Sequence, residues 1–206
     1  MNLLHIDSSI LGDASVSRML SAKIVEKCRA EMPGLTVTYR DLAEDPVSHI
    51  SGDYFMALTG AQIPRRPELE RELARGDALL SEFLAADIYV LGLPMYNWTV
   101  PSNFKAWFDR ICIVGKTFRY TGQGYEGLVG DKPMIVASTR GGFYTPGNPG
   151  AVLDHHETYV RNVFGVLGVT KVNFVRAEGV GISEAVKARS IEDALRQATE
   201  SQHLAR

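Results

Sequence analysis

Cysteine is scarce: 206 residues contain only Cys28 and Cys112, and no CxxC spacing occurs. This excludes a disulfide framework and a cysteine zinc site, and it predicts two reduced core thiols in a cytoplasmic protein. An excess of positive charge is lacking too. Lys and Arg number 22 against 24 Asp and Glu, a formal charge of −2, so the broad basic field that nucleic-acid binding requires is missing. No apolar run approaches membrane-spanning length, and Met1–Asp7 has neither a cationic segment nor a long apolar one, so neither a membrane span nor a secretory leader is expected. Missing motifs narrow the chemistry further. There is no GxxxxGK[ST] loop for a nucleoside triphosphate, no HExxH helix for a metal and no GxSxG elbow for a nucleophilic serine.

What remains is an ordinary soluble composition, 45% hydrophobic and 22% charged, with no repeat or linker, which predicts one domain over 1–206. Short apolar runs alternate with helix-period segments from end to end, the pattern of a parallel sheet covered by helices on both faces. Strands are predicted at Leu3–Ile6, Thr36–Arg40, Ile88–Gly92, Met134–Ser138 and Lys171–Arg176, and helices at Val16–Glu31, Glu68–Ala85, Ser102–Ile111, Val152–Leu167 and Glu184–Gln202. Ser102 reads as an N-cap; Pro33-Gly34 and Gly168 read as helix stops. Pro46–Pro64 reads as an excursion with a short helix near Asp53–Leu58, placed to cover a site or a partner subunit.

Three loops follow strands at one sheet edge, where ligands of open α/β sheets sit. The first runs from Asp7 to Arg18 and opens a helix. Its Ser9, Ser15 and Ser17 hydroxyls, with Val16 at the helix start and Arg18 close by, suit a monophosphate held by free N–H groups and the helix dipole. Turn closure and N-capping are the commoner uses of such serines. The second loop begins at Pro94, expected to end the ladder, and continues Met95-Tyr96-Asn97-Trp98. It offers polarizable surface and donors for a flat, polar ring such as a flavin, or equally the aromatics of a plain strand-to-helix loop. The third, Thr139-Arg140-Gly141-Gly142, could bring backbone N–H groups to the carbonyl edge of that ring, or simply turn. In the order 2-1-3-4-5 the switch point lies between strands one and three, so these loops would line one crevice.

Other features carry less. Gly122-Gln123-Gly124-Tyr125-Glu126-Gly127 matches GxGxxG, but it follows a predicted hairpin arm at Lys116–Thr121 and precedes a strand, so it reads as a glycine-rich surface loop rather than a dinucleotide fingerprint. His155-His156-Glu157 lacks metal-ligand spacing and reads as a solvated helix start. Asp109-Arg110 reads as a charge pair on a helix surface or interface, and His5 as a satisfied structural histidine. Tyr120 and Tyr144 are candidates to border a ring or donate a proton.

Taken together, Ser9 with Ser15-Val16-Ser17, Pro94-Met95-Tyr96-Asn97-Trp98, Pro101–Arg110, Lys116–Thr121, Thr139-Arg140-Gly141-Gly142 and Ala177-Glu178-Gly179 resemble the bacterial FMN-dependent NADH azoreductases, also called NADH:quinone oxidoreductases. The likeness spans nearly the whole chain. It implies an α/β flavodoxin-like three-layer sandwich with a five-stranded parallel sheet in order 2-1-3-4-5, and a homodimer with one FMN per subunit near the interface. It implies that Ser9 and Ser15–Ser17 hold the phosphate, and that Met95–Trp98 and Thr139–Gly142 hold the ring. The implied activity is ping-pong: NADH or NADPH reduces the flavin and leaves, and a quinone or an aromatic azo compound takes its place. Trp98 stands where the family usually has phenylalanine, and Asn103 and Phe143 also sit at positions where members vary. The alternatives are a flavin reductase or a non-catalytic electron-transfer module of the same fold.

Overall fold

The computed structural model describes residues 1–200. In chain order the elements are β1 (Asn2–Asp7), α1 (Val16–Glu31), β2 (Thr36–Asp41), α2 (Gly52–Leu58), α3 (Pro67–Ala85), β3 (Ile88–Pro94), α4 (Ser102–Ile111), β4 (Phe118–Thr121), β5 (Gly124–Gly127), β6 (Met134–Thr139), α5 (His155–Val166), β7 (Val172–Ala177) and α6 (Glu184–Glu200). Five strands form one parallel sheet in the order β2-β1-β3-β6-β7, the predicted 2-1-3-4-5 counted among themselves. Its middle strands are apolar on both faces because helices cover both. β3 and β6 are buried throughout, whereas edge strand β2 has no buried residue.

Two cores flank the sheet. One packs α3, α4 and α5 around the Phe83, Phe104, Trp107, Phe108 and Phe164 rings. The other packs α1 and α6 through Leu20, Ile24, Cys28, Ala194 and Ala198. In α1 the buried residues Ser17, Leu20, Ser21, Ile24, Val25 and Cys28 recur at helical spacing, so one stripe faces the sheet and the other faces water. Gly34, at φ 84°, follows the helix as the expected stop.

Several boundaries differ from expectation. β3 continues through Pro94, which pairs with Thr139; the β1 ladder ends opposite Gly92, so Pro94 lies beyond it and has β6 as its one strand neighbour in that register. Ser102 is the first helical residue, Pro101 occupies the cap and contributes no side-chain bond, and in the first turn of α4 Phe104 N donates to Asn103 Oδ1 at 2.8 Å. α5 starts at His155 rather than Val152, because Pro149–Leu153 forms a tight turn and Asp154 caps the helix by accepting from His156 N and Glu157 N. The predicted end of α6 at Gln202 lies outside the described residues. The GxGxxG tract is not a loop: Gly124–Gly127 is the second arm of an antiparallel hairpin with Phe118–Thr121. Gly127 lies flat against the Gly168 backbone, where any Cβ would collide.

The predicted Asp109–Arg110 pair does not form. Asp109 accepts from Lys105 at 2.5 Å, one helical turn away. Arg110 is 2% exposed. It lies 4.0 Å over the Tyr54 ring and donates from Nη2 to Ser48 O at 2.9 Å and to Glu72 at 2.5 Å. It therefore pins the 46–64 excursion to the body, and Tyr54 fits beneath it because Gly76 has no side chain.

Candidate active site

The β1, β3 and β6 loops meet at the carboxyl edge of the sheet around a crevice of about 270 Å³, lined among others by Ser9, Ser15, Val16, Pro94, Met95, Tyr96, Thr139 and Gly141. At one end Ser15 caps α1, accepting from Arg18 N at 3.3 Å, and its hydroxyl lies 3.0 Å from that of Ser17. Capping and anion binding are compatible here. Val16 and Ser17 begin the helix, so their N–H groups have no intrahelical acceptor, and none is found elsewhere among the described residues. Ser9 is buried, accepts from Leu11 N at 3.3 Å and meets the Tyr96 hydroxyl at 3.3 Å. Tyr96 also accepts from Ile10 N at 3.2 Å, which latches the β3 loop to the β1 loop.

The Met95–Thr99 segment is a tight reversal, with Tyr96 and Thr99 exchanging backbone bonds at 2.9 and 3.1 Å. Both central residues, Asn97 at φ 47° and Trp98 at φ 67°, lie in the left-handed region. For residues with side chains this costs roughly 1–3 kcal/mol each, and such strain concentrates at functional sites. The reversal leaves Trp98 49% exposed beside the crevice. Across from it, Gly141 and Gly142 offer N–H groups with no acceptor among the described residues, and a Cβ at Gly141 would meet nothing within 4 Å. The Tyr144 ring packs beside Gly142 and Gly150, while Tyr120 is 73% exposed on the hairpin; neither lines the crevice.

The Arg140 side chain turns away from the crevice. Fully buried, it bonds Asp154 at 3.0 Å, Glu178 at 3.2 Å and Glu157, which in turn accepts from Arg176. Glu178 also accepts from Tyr144 N at 2.8 Å and from Thr145 N and Oγ1, so the cage shapes the loop that carries the glycines. His156, read as solvated from sequence, is buried. Its Nε2 donates to the Leu93 carbonyl at 3.1 Å beneath the β3 loop.

A family model described as a flavodoxin-like fold matches residues 1–201. The FMN-dependent NADH:quinone oxidoreductase 2 of Bradyrhizobium diazoefficiens is 48% identical over 202 residues, spanning 98% of this chain and 99% of that protein. The chain belongs to this flavodoxin-like family of FMN-dependent NADH:quinone oxidoreductases. A Pseudomonas aeruginosa relative bearing the same name is 50% identical over 200 residues, 96% of each chain. The crystal structure of an FMN-dependent NADH-azoreductase from Bacillus anthracis in complex with FMN superposes with a TM-score of 0.84 at 26% identity, covering 97% of this chain and 98% of that one.

In this member of the oxidoreductase family, Arg18 does not face the hydroxyl cradle as its position in sequence suggests. It is bidentate to Asp41 and donates twice to the Ser9 carbonyl, at 3.2 and 2.7 Å, and beside it the Asp41 carboxyl is held below its usual range. Sequence reasoning missed Asp41 and Asp154, each brought to the site by a contact across the fold, and Lys187, which lines the crevice; no local pattern announces any of the three.

Burial, with Arg140 nearby, lowers the His156 pKa from 6.5 to about 4. Between those values the unfolded chain takes up a proton that the folded chain does not. The stability associated with neutral His156 is complete above pH 6.5 and is lost as pH falls toward 4, roughly 3 kcal/mol over the window. His156→Gln, which keeps a donor without a titrating ring, is expected to flatten the pH dependence of the urea midpoint in that window. An unchanged slope would assign the acid sensitivity to other groups.

Proposed function

We propose that this protein is an FMN-dependent NADH:quinone oxidoreductase whose cofactor lies in the crevice between the β1, β3 and β6 loops. The observation that carries this reading is a pair of unpartnered amide sites at one crevice: Val16 and Gly141 line it together with Pro94 and Met95, and Ser17 and Gly142, next to them in sequence, also have N–H groups with no acceptor among the described residues. The residues fit FMN. A phosphate suits the α1 amino terminus with the Ser9, Ser15 and Ser17 hydroxyls, and a flat ring with polar edges suits a wall that Gly141 leaves open.

FMN, when bound, supplies the two-electron chemistry that links a nicotinamide donor to a quinone or azo acceptor. Ser9 and Ser15–Ser17 anchor the phosphate. Met95, Tyr96, Asn97 and Trp98 support the ring, and Thr139, Gly141, Gly142 and the backbone of Arg140 meet its polar edge. The Gly141 and Gly142 N–H groups favour negative charge gathering at that edge. The half-exposed Trp98 and Phe143 would be available to a nicotinamide donor and then to an acceptor, and ping-pong turnover, with two rounds for an azo bond, is part of this proposal. Protons come from water. Ile10, Leu11, Trp98 and Phe143 expose apolar surface around the crevice, which supports a homodimer closing over it. No described helix is long and apolar enough to cross a membrane, and the described residues contain no cluster of three or more His, Cys, Asp or Glu able to hold a metal.

The test is an absorption spectrum of the flavin-loaded protein before and after anaerobic NADH, and again after a benzoquinone. The expected result is bleaching by NADH alone and full recovery on adding quinone, with parallel double-reciprocal lines in steady state. A protein that binds no FMN, or whose FMN is untouched by NADH, would overturn the reading.

A further inference from the structure

The hydroxyl cradle at the start of α1 presents no uncompensated cation. Arg18, its sequence neighbour, is paired with Asp41, and its Nε, Nη1 and Nη2 donors all go to Ser9 O, Tyr39 or Asp41. A phosphate monoester carries about −1.5 to −2 charges near neutral pH, so neutral donors alone leave much of that charge uncompensated. One charged side chain lines the crevice among the described residues, and it is Lys187, from the first turns of α6. Its ammonium is paired only loosely, with Glu184 at 3.9 Å; that carboxylate is 92% exposed, so water screens the pair. Lys187 is not on a loose surface segment. The connection into α6 is tied to the β6 loop by three backbone bonds: Gly179 N to Gly142 O at 2.9 Å, Val180 N to Arg140 O at 3.1 Å and Gly181 N to Gly141 O at 3.1 Å.

We infer that Lys187 is the counter-cation of the cofactor in this crevice, its ammonium pairing with an anionic oxygen that the cofactor carries. The inference rests on the FMN reading above. The anionic oxygen has two possible sources with the same chemistry: the phosphate, charged throughout, and the pyrimidine edge of the ring, charged once reduced.

The experiment titrates FMN and riboflavin into apoprotein of the wild type, Lys187→Met and Lys187→Arg, across ionic strength, and measures the reduction potential of the bound flavin. Lys187→Met keeps the length of the side chain and removes its charge. With the phosphate as partner, Lys187→Met weakens FMN about tenfold, leaves riboflavin unchanged and flattens the salt dependence of FMN binding, and Lys187→Arg recovers most of the loss. With the ring as partner, affinities for both oxidised flavins stay near wild type while the bound flavin becomes harder to reduce in Lys187→Met and recovers in Lys187→Arg. Wild-type affinities together with a wild-type potential in Lys187→Met would overturn the inference and leave the FMN reading intact. Failure of the wild-type protein to bind either flavin would overturn the FMN reading itself.

Discussion

Gly141→Val is expected to yield a folded protein that has lost FMN, with affinity reduced on the order of 100-fold or more. Gly141 is exposed at the crevice wall, its φ lies outside the left-handed region, and an added Cβ meets nothing within 4 Å. The apoprotein therefore accommodates the side chain, and a surface change of this kind costs about 0.5 kcal/mol or less. The valine methyls instead fill the space that a ring needs to reach the Gly141 and Gly142 N–H groups. A 100-fold loss corresponds to about 2.7 kcal/mol, within reach of two lost hydrogen bonds and a displaced ring. Thermal melting of apoprotein and equilibrium titration with FMN separate the two effects. Stoichiometric yellow flavin retained by the purified variant would place the ring elsewhere.

Arg140→Leu is expected to be the most destabilising single change near the site. The guanidinium is enclosed by Asp154, Glu157 and Glu178, and Nε also bonds Ser138 Oγ at 3.1 Å. Removing it leaves three largely buried carboxylates with Arg176, bonded to Glu157, as the remaining cation. Uncompensated buried charge costs about 3–5 kcal/mol. For a chain of this size that lowers Tm by roughly 6–20 °C. The damage extends to function because Glu178, released from Arg140, also organises Tyr144 and Thr145. Arg140→Lys restores charge without the planar fork and is expected to fall between the two. A Tm within 2 °C of wild type for Arg140→Leu would show that the carboxylates find other partners.

These two residues are neighbours in a tract that sequence reasoning assigned whole to the cofactor, and the structure gives them different work. Gly141 faces the crevice; the side chain of Arg140 faces the interior, leaving only its backbone to the site. From sequence, His156 reads as solvated and Arg110 as part of a surface or interface charge pair for the same reason: polar side chains near a helix end resemble solvated ones unless their partners are known. The hairpin arm at Gly124–Gly127 escaped because three glycines in six residues look like a loop; the structure accounts for Gly127 by its close approach to Gly168 and for Gly124 by its φ of 131°.

The chain by itself determines its layers and strand sequence, because apolar periodicity and helix stops act over a few residues and are written locally. It also determines where a ligand would lie, since loops after the first, third and fourth strands of a doubly wound sheet share one edge. Only the tertiary structure decides which charges are buried and with whom. Arg140 finds its partners 14, 17 and 38 residues away, and Arg18 finds Asp41 across 23. Burying a charge is tolerable only where its counter-charge arrives with it, and that coincidence belongs to the packed fold rather than to any stretch of sequence.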